Sequence, residues 1–406
     1  MISKKLVAIY LTIIAMNALG HNIGNPQSPL RIAYQGEPGA YSEKASRELL
    51  GPRVMTVNYP SFEDVFKAVA SRDADYAVIP IENSLGGSIH ANFDLLLRYD
   101  LHIIAEHEFR VEHYLLALPG VKREDIKKVM SHPQALAQCD NYLRDLGYTP
   151  TPTYDTAGSA KIIKEQNLLD CAAIASDLAG KTYGLDVVES NIEDHDNNFT
   201  RFLLLSRAPV SSLIPPGMAA KTSIVFVLPN LPGALYKAMA CFSLRDIDFC
   251  KIESRPTSVD LLQRLQFQLS RSSSASPTIH SQDLPRFRYT FYLDFLAAEL
   301  DDRTQNALMH LREQSDYVRV LGSFPKGSKL IGPIQSTLAA LSNIPVTTEF
   351  PSIVLTNSNK PLKKKLKIAV IGFGNFGQFI AKTFVKDHIV YGVAQSDQST
   401  AAKEIG

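Results

Sequence analysis

The sequence predicts an α/β protein with more than one domain. From Arg31 onward, short apolar stretches at residues 31–34 and 75–81 alternate with longer stretches of helical periodicity. Polar, glycine-bearing loops follow several of these apolar stretches, which is typical of ligand sites in open α/β sheets. A length of 406 residues allows two or three domains, each with its own hydrophobic core.

The composition narrows the classes of partner. The chain has 42 Lys and Arg residues against 41 Asp and Glu residues, a formal net charge of +1. This balance gives no electrostatic reason to expect nucleic acid or an anionic membrane as a partner. The four cysteines show no Cys-x-x-Cys spacing and no nearby His in a ligand pattern, so we expect reduced thiols and no metal site.

The N-terminal segment has the layout of a secretory signal. Lys4 and Lys5 precede an apolar run at residues 6–15, and small residues follow at Ala18 and Gly20. The apolar run is too short for a comfortable membrane span. Residues 1–28 are therefore interpreted as a signal-like or targeting-like segment, or as a wrongly assigned first exon, and are set apart from the fold.

Two loops of the first predicted sheet carry polar side chains. The turn after the first strand contains Gly36 and Gly39, whose N–H groups could face an anion, and Ser42 is the candidate N-cap of the next helix. The loop after the strand at residues 75–81 carries four further candidates, namely Asn83, Ser84, Gly87 and Ser88. Taken alone, each loop is also compatible with an ordinary strand-to-helix connection.

Two later helix starts repeat this pattern. Ser131 or His132 is predicted to cap a helix that begins at Pro133. Gln138 lies on one face of that helix, so the cap and the face can present polar groups to the same cleft. Thr156 stands at the start of a further helix.

The stretch at residues 197–202 is the strongest candidate for a functional site. It sets the hydroxyl of Thr200 beside the guanidinium of Arg201, followed by Phe202, where the apolar strand at residues 203–205 begins. A cleft enzyme places such groups where they meet a small anion. The alternative is an ordinary strand start with a solvated charge.

Together, these five motifs resemble the prephenate and arogenate dehydratases in order and spacing, over about residues 30–321, and the plant arogenate dehydratases look closest. The resemblance implies a bilobal catalytic domain at residues 29–209, similar to the type II periplasmic binding proteins, with the site between the lobes. The first lobe would take about residues 29–105 and 190–206, and the second about 106–189. One departure is Ala91, where plant members usually carry Arg.

The same resemblance implies a reaction and a set of residue roles. The reaction is the joint loss of water and CO2 from arogenate or prephenate, giving phenylalanine or phenylpyruvate, with no cofactor. Thr200 would assist the departing hydroxyl by hydrogen bonding or by proton donation. Arg201 would pair with a substrate carboxylate. The other implied catalytic donors are Asn83, Ser131 and Gln138, and the implied substrate contacts are Ser42, Ser84, Gly87, Ser88, Thr156 and Phe202.

Residues 221–325 follow a linker at residues 210–220 and are predicted to have a β-α-β-β-α-β order. They resemble the ACT regulatory domain of these dehydratases, which implies phenylalanine as an effector and a homo-oligomer, either a dimer or a tetramer. The implied effector contacts are Gly233, Ala234, Leu235, Glu253, Ser254, Arg255 and Pro256. The family also implies the chloroplast stroma as the location, although the N-terminus itself has the secretory layout.

The C-terminal stretch carries a different motif. After a linker at residues 326–364, an apolar strand leads into Gly372, Gly374 and Gly377 in Gly-x-Gly-x-x-Gly spacing, before a predicted helix. Residues 365–406 resemble the start of plant arogenate dehydrogenases. They supply only a strand, a helix and a second strand, so we expect an incomplete dinucleotide-binding fragment that does not bind NADP usefully.

Two other functions stay open at this point. A bilobal fold behind a signal-like N-terminus is also the layout of solute-binding proteins, which trap a ligand and catalyse nothing. The dehydrogenase-like tail makes a fragment of a dehydratase-dehydrogenase fusion the second alternative. The sequence does not distinguish arogenate from prephenate as the preferred substrate.

Overall fold

The computed structural model describes residues 30–52, 54–257, 288–327, 330, 367–371 and 389–393. The chain divides into two compact units, the first ending at Pro345 and the second beginning at Val346. Among the described residues, the first unit contains three β-sheets and the second contains one pair of strands. The signal-like segment at residues 1–28 lies outside the described residues.

The elements of the first unit are numbered here in chain order. The strands are β1 Arg31–Gln35, β2 Met55–Tyr59, β3 Tyr76–Asn83, β4 Gly87–Ser88, β5 His102–Arg110, β6 Tyr114–Ala117, β7 Lys128–Ser131, β8 Thr149–Pro152, β9 Cys171–Ala175, β10 Asp186–Ser190, β11 Phe199–Ser206, β12 Ala220–Val227, β13 Phe249–Pro256, β14 Tyr289–Phe295 and β15 Tyr317–Pro325. The helices are α1 Tyr41–Leu50, α2 Phe62–Ala70, α3 His90–Arg98, α4 Pro133–Ala137, α5 Asp140–Asp145, α6 Thr156–Gln166, α7 Asp177–Tyr183, α8 Ala234–Ser243 and α9 Asp302–Gln314. The predicted α/β class is confirmed.

The first sheet has the strand order β2-β1-β3-β11-β5, with β4 paired to the end of β3. Strand β1 pairs in parallel with β2 and β3, whereas β11 runs antiparallel between β3 and β5. Strands β3 and β11 are buried over most of their length because both faces of the sheet are covered. This pairing sets the start of β11 beside the loop that follows β3.

The second sheet, β10-β6-β9-β7-β8, is built from the residues between β5 and β11. The chain therefore crosses between the first and second sheets twice, from β5 to β6 and from β10 to β11. The two crossings are hydrogen-bonded to each other, from Val111 N to Asn198 O at 2.8 Å and from Ile192 N to His113 O at 3.2 Å. Side chains at these crossings lie where the two sheets meet.

The third sheet has four antiparallel strands in the order β13-β14-β12-β15. Together with α8 and α9, its elements follow the predicted β-α-β-β-α-β order along the chain. The two helices and the sheet share a hydrophobic core that includes Phe242 and Leu308. A different cluster joins Tyr292 and Leu321 of this sheet to Phe93 of α3. The first and third sheets therefore share an interface.

The start of α1 differs from the prediction. Its N-cap is Ala40 rather than Ser42, which lies buried in the first helical turn. The preceding turn uses glycines with positive φ, 116° at Gly36 and 90° at Gly39, so the chain enters the helix earlier than a Ser42 cap requires. At α4 the cap is His132, one of the two residues predicted there, and its side chain accepts a backbone N–H.

In the second unit, β16 Lys367–Ile371 and β17 Ile389–Val393 pair in parallel. The helix predicted between these two strands lies outside the described residues, and the strand, helix and strand order stays a prediction. The glycine motif at Gly372, Gly374 and Gly377 lies outside the described residues, and its dinucleotide-binding interpretation stays a prediction. Across the described parts of both units, no helix is long and apolar enough to cross a membrane.

Candidate active site

The candidate site begins with Thr200 and Asn83, which are paired across β11 and β3. Asn83 Nδ2 shares its two hydrogens among three acceptors, Thr200 Oγ1 at 3.0 Å, Asn198 Oδ1 at 2.9 Å and Phe199 O at 3.1 Å. Asn83 Oδ1 accepts from the backbone N–H groups of Leu85 and Gly86, at 3.1 and 2.7 Å. These two bonds fix which end of the amide is the oxygen, so the nitrogen must face Thr200. The Thr200 oxygen accepts from Asn83, and the Thr200 hydroxyl hydrogen is left for another acceptor.

A chain of amides joins this pair to the second sheet. Asn198 Oδ1 accepts from Asn83 Nδ2 at 2.9 Å, and Asn198 Nδ2 donates to Gln138 Oε1 at 3.2 Å. We call Asn83, Asn198 and Gln138 the amide chain. Asn83 ends β3 of the first sheet, whereas Gln138 is the C-cap of α4, which packs on the second sheet. The site therefore takes its polar groups from both sheets.

His113 supports Gln138 at the second-sheet end of the amide chain. Its Nε2 lies 2.8 Å from Gln138 Oε1, and its Nδ1 lies 2.7 Å from the hydroxyl of Tyr41. Burial lowers the pKa of His113, so the ring is neutral at neutral pH. Because Gln138 Oε1 can only accept, the single ring hydrogen of His113 lies on Nε2. His113 Nδ1 then accepts from the Tyr41 hydroxyl, which shares its hydrogen with Glu112 O at 3.0 Å.

The turn from Gly36 to Gly39 is occupied by a carboxylate of the chain itself. Glu43 Oε2 accepts from Gly39 N at 2.8 Å and from the Tyr34 hydroxyl at 3.1 Å. Burial raises the pKa of Glu43, but hydrogen bonds from Gly39 N and the Arg47 guanidinium outweigh it and leave the pKa lowered. The anion predicted at this turn is therefore the ionised Glu43, which holds the turn in shape.

The same turn and α1 also contact α7, which follows β9 of the second sheet. Gly39 lies against Ala179 with no room for a side chain, and Ser176 Oγ donates to Gly39 O at 2.6 Å. Lys44 forms an ion pair with Asp177 at 2.8 Å. These contacts, together with the amide chain, hold the first and second sheets in one arrangement.

Thr156 lies close to the Gly36 turn. It begins α6 directly after the N-cap Asp155, whose Oδ1 accepts from Gly158 N at 2.8 Å. A Cβ placed on Gly36 would lie 3.1 Å from Asp155 Oδ2, so the turn and the start of α6 are neighbours across the two sheets. Substrate contacts by Thr156 and by Ser42 stay predictions.

Three predicted site residues have internal roles instead. Ser131 is fully buried and its hydroxyl donates to Ile174 O at 2.7 Å. Ser84 Oγ donates to Asn197 O at 2.7 Å and ties the loop after β3 to the start of β11. Phe202 is a core residue that meets another buried aromatic ring edge-on. The predicted donor roles of Ser131 and Ser84, and the predicted substrate contact of Phe202, stay predictions beside these observed contacts.

Arg201 points away from Thr200, because successive side chains of a strand lie on opposite faces. Its Nε donates to Glu106 at 2.8 Å, and its Nη1 donates to Asp294 at 2.7 Å and to Glu82 at 3.0 Å. Only 10% of the side chain is exposed. Carboxylates of the protein hold Nε and Nη1 in this arrangement, and the pairing of Arg201 with a substrate carboxylate stays a prediction.

The charges around Arg201 extend to the third sheet. Lys221 of β12 pairs with Glu106 at 2.7 Å, and Lys251 of β13 pairs with Glu82 at 2.5 Å. We call this set the interface ion cluster; it consists of Glu82, Glu106, Arg201, Lys221, Lys251 and Asp294. Burial raises the pKa of Glu82, but Lys251 and Arg201 outweigh it and leave the pKa lowered. The cluster therefore joins acidic and basic side chains of the first and third sheets.

The loop after β3 also contacts the third sheet. Ser88 Oγ donates to Glu253 Oε2 at 2.6 Å. Gly87, with φ 76°, forms the two-residue strand β4 together with Ser88. Gly87 and Ser88 were predicted to contact substrate. In this structure the Ser88 hydroxyl binds Glu253 of β13, and Gly87 supplies the positive φ of the turn that precedes Ser88. Ala91 is exposed on α3, just beyond this loop.

The predicted effector residues lie at two places in the third sheet region. Gly233 is the exposed N-cap of α8 with φ 77°, followed by Ala234 and by the exposed Leu235. The other group lies on the edge strand β13 and consists of Glu253, Ser254, Arg255 and Pro256. Arg255 Nη2 donates to Asp94 Oδ2 of α3 at 2.8 Å. The second group therefore contacts the first sheet region directly.

Three residues of the site were missed from the sequence, namely Asn198, His113 and Tyr41. Asn198 stands two positions before Thr200, so the period of a strand could have placed both side chains on one face. His113 and Tyr41 offered no such signal, because the contact between them spans 72 residues of chain.

Metal ligation finds no support in the part of the chain that the structure describes. Those residues contain no group of three or more His, Cys, Asp or Glu side chains that could hold a metal ion. The four cysteines are free; Cys139, Cys171 and Cys241 are buried and Cys250 is exposed. The expectation of unpaired thiols is confirmed.

We predict that Arg201→Met destabilises the fold by about 3–5 kcal/mol, because Glu106 and Asp294 would keep buried charges without their shared cation. Urea unfolding of the variant and the wild type measures this difference. Arg144→Met is a matched control, since Arg144 pairs with Asp140 at an exposed position and should cost less than about 1 kcal/mol. If Arg201→Met instead unfolds like the wild type and only raises the substrate concentration for half-saturation, Arg201 binds substrate.

The chain is similar in sequence to proteins of one family. The sequence pattern of that family, prephenate dehydratase, matches residues 32–210. Arogenate dehydratase 2 of Petunia hybrida is 47% identical over 309 residues, which cover 76% of this chain and 74% of that protein. Arogenate dehydratase/prephenate dehydratase 2 of Arabidopsis thaliana, described as chloroplastic, is 46% identical over 319 residues, which cover 78% of each protein.

Two solved structures are also similar to this chain. One is a quorum quenching acylase with 32% identity and a TM-score of 0.62, covering 73% of this chain and 97% of that one. The other is a prephenate dehydratase of Arthrobacter aurescens in complex with L-Phe, with 27% identity and a TM-score of 0.61, covering 77% of this chain and 96% of that one. The relatives described as chloroplastic confirm the predicted chloroplast location. The chain belongs to the family of prephenate and arogenate dehydratases.

Proposed function

We propose that this chain is an arogenate or prephenate dehydratase, a hydro-lyase of phenylalanine biosynthesis. It releases water and CO2 from a cyclohexadienyl substrate and forms phenylalanine from arogenate or phenylpyruvate from prephenate. Family membership supports this reaction class. The single observation that carries the proposal is the hydrogen bond from Asn83 Nδ2 to Thr200 Oγ1, which leaves the Thr200 hydrogen for the substrate.

The reaction needs help chiefly at the departing oxygen. The bond from the ring to the carboxylate breaks, its electron pair enters the ring, and the C–O bond of the ring hydroxyl breaks. The departing oxygen takes up a proton and leaves as water, while the carboxylate leaves as CO2. Because the ring becomes aromatic, the protein has mainly to hold the substrate and to stabilise the charge that develops on that oxygen.

Thr200 is the residue that we assign to the leaving hydroxyl. Donation from Asn83 Nδ2 to Thr200 Oγ1 polarises the hydroxyl, so the Thr200 hydrogen becomes a stronger donor. A Thr hydroxyl does not titrate near neutrality, so its minimal role is a hydrogen bond to the departing oxygen. Proton donation is the stronger version of the same role.

The first and second sheets correspond, in this proposal, to the two lobes of a fold like that of the type II periplasmic binding proteins, with substrate between them. The support is that polar groups of both sheets meet in the amide chain, from Asn83 to Gln138. The proposed catalytic domain covers residues 29–209, and the proposed ACT-like domain covers residues 221–325. Neutral amides and one hydroxyl would then surround a substrate that carries its own charges.

One of the similar structures is an acylase, but the surroundings of Thr200 argue against an acylase activity in which Thr200 attacks an amide bond. A hydroxyl acts as a nucleophile when a neighbouring base takes its proton. Among the described residues, the side-chain partner of Thr200 Oγ1 is the amide of Asn83, which donates and cannot take a proton. A solute-binding protein is the remaining alternative, and turnover by the purified chain would exclude it.

The purified chain should convert arogenate or prephenate, with product followed by chromatography, and Thr200→Ala should lower kcat by about two to four orders of magnitude. Thr200→Ser keeps the hydroxyl and should recover part of the rate. Thr304→Ala removes a fully buried threonine hydroxyl in α9, a helix that packs on the third sheet, and serves as the matched control. A Thr200→Ala enzyme with a rate near that of the wild type would make Thr200 a structural residue.

We further propose that phenylalanine binds the third-sheet domain and lowers activity. Two observations support this regulation. The β-α-β-β-α-β order is that of an ACT-like domain, and the similar Arthrobacter aurescens enzyme was solved with L-Phe. The effector contacts would come from the N-terminus of α8 at Gly233 to Leu235 and from Glu253 to Pro256 on β13.

Ion pairs connect the third sheet to the chain neighbours of Thr200 and Asn83, so effector binding there could change the positions of these two residues. Thr200 is followed by Arg201, which pairs with Asp294 of the third sheet. Asn83 is preceded by Glu82, which pairs with Lys251 of the third sheet. A ligand that favours one arrangement of the third sheet therefore acts on the chain neighbours of both catalytic residues, provided its affinity differs between two arrangements.

A homo-oligomer is part of this proposal. The α8 region exposes large apolar side chains, with Leu231 at 66%, Tyr236 at 78% and Leu244 at 83% exposure. Strand β13 lies at the open edge of its sheet, where a second copy could extend the hydrogen bonding. Exposed apolar side chains beside an open edge are typical of a subunit interface.

Gly233→Asp should abolish inhibition by phenylalanine while kcat without phenylalanine stays close to that of the wild type. Asp tolerates the positive φ of Gly233, and no atom stands within 4 Å of the new Cβ, so the fold should persist while the added carboxylate repels the amino acid's own carboxylate. Gly120→Asp, at a second open glycine with φ 84°, is the matched control and should stay inhibited. A wild-type enzyme that phenylalanine does not inhibit would refute the regulation.

A further inference from the structure

Asn198 occupies a special place between the first and second sheets. It lies in the crossing from β10 to β11, is fully buried, and its backbone oxygen accepts from Val111 N of the other crossing at 2.8 Å. Its side chain contacts Asn83 on one side and Gln138 on the other. One residue at the boundary of the two sheets thus touches a polar group from each.

The orientation of the Asn198 amide is determined by Asn83. The Asn83 oxygen is engaged by the N–H groups of Leu85 and Gly86, so the Asn83 nitrogen faces Asn198. Asn198 must therefore present its oxygen to Asn83 and its nitrogen to Gln138. Two backbone N–H groups therefore orient the Asn83 amide, which orients the Asn198 amide, which in turn orients the Gln138 amide.

Gln138 receives two donors on its oxygen. Asn198 Nδ2 lies 3.2 Å and His113 Nε2 lies 2.8 Å from Gln138 Oε1. Because Oε1 faces these two donors, Gln138 Nε2 points away from His113 and Asn198. Among the described residues Nε2 has no hydrogen-bond partner, so its two hydrogens are available to a ligand.

We propose that Asn198 is a positioning residue, which holds Gln138 with its amide nitrogen turned toward the substrate. This inference rests on the proposed dehydratase function. Gln138 Nε2 would donate to an oxygen of the substrate, a carboxylate or the departing hydroxyl, from the second sheet. Thr200 would donate from the first. Asn198 itself touches no reacting atom and acts through Gln138 and Asn83.

Asn198→Asp separates the two contacts of this residue. One oxygen of the new Asp side chain still accepts from Asn83 Nδ2. The other oxygen stands where Asn198 Nδ2 donated to Gln138 Oε1, and an oxygen cannot donate to Oε1. Gln138 should then turn its amide nitrogen to the new carboxylate and away from the substrate. We expect kcat/KM to fall by about 10- to 1,000-fold, the range for the loss of one oriented donor at a reacting oxygen.

The decisive test is a double-mutant cycle with Gln138→Ala. If Asn198 acts through Gln138, then Asn198→Asp should cost little further activity once the Gln138 amide is gone. A structural role would instead give the same fold-loss in both backgrounds. Asn92→Asp is the matched control, because Asn92 is also a fully buried asparagine of the first sheet region and its Nδ2 donates to Pro80 O at 2.6 Å. It should lower the melting temperature without a comparable loss of kcat in the folded enzyme.

Each outcome of this experiment is decisive. A wild-type chain that converts neither arogenate nor prephenate overturns the proposed function and the role of Asn198 with it. An active wild type with equal losses from Asn198→Asp in the two backgrounds overturns the positioning role alone. The same holds if Asn198→Asp retains the wild-type kcat/KM. A loss that is large in the wild-type background and small in the Gln138→Ala background supports the proposal.

Discussion

Strand β11 lies between β3 and β5, and the alternation of its side chains assigns neighbouring residues to two different tasks. Thr200 contacts the amide chain through Asn83, whereas Arg201 faces the interface with the third sheet. A shift of one residue in the pairing of β11 would exchange these faces and bury Thr200 among carboxylates. The register of this one strand therefore fixes both the candidate site and the interface.

The interface ion cluster stabilises the observed register of β11 relative to shifted registers. Glu106 is 1% exposed and would be unstable as a charge without Arg201 and Lys221. A misregistered β11 would leave these groups unpaired, so alternative pairings are disfavoured by desolvation as well as by lost packing. The same ions tie the third sheet to the chain neighbours of Thr200 and Asn83, and the proposed regulation by phenylalanine would use this connection.

Local patterns in the sequence predicted the elements well, and contacts across long chain separations less well. The β-α-β-β-α-β order predicted for residues 221–325 is observed, because periodicity and flanking turn residues determine each of these elements locally. The cap at Ser42 was wrong because positive-φ glycines begin α1 earlier. Thr200 was assigned from a motif, but its partner Asn83 is 117 residues away, and only the fold shows the contact.

The position of Arg201 shows the same limit. Its alternation with Thr200 could have been read from the strand, yet Glu106 and Asp294 lie 95 and 93 residues away along the chain. Without those partners, a guanidinium beside a candidate catalytic hydroxyl has the pattern of a carboxylate-binding group. The missed residues His113 and Asn198 were likewise defined by contacts that join two sheets, which no single stretch of sequence contains.

A crystal structure with an unreactive substrate analogue tests the central claim most directly, because it locates the leaving hydroxyl relative to both neighbours on β11. The account predicts that hydroxyl at about 2.6–3.2 Å from Thr200 Oγ1, with Asn83 still donating to Thr200 and Arg201 still paired with Glu106 and Asp294. A hydroxyl bound away from Thr200, or an Arg201 that has left these carboxylates to bind the ligand, would contradict it.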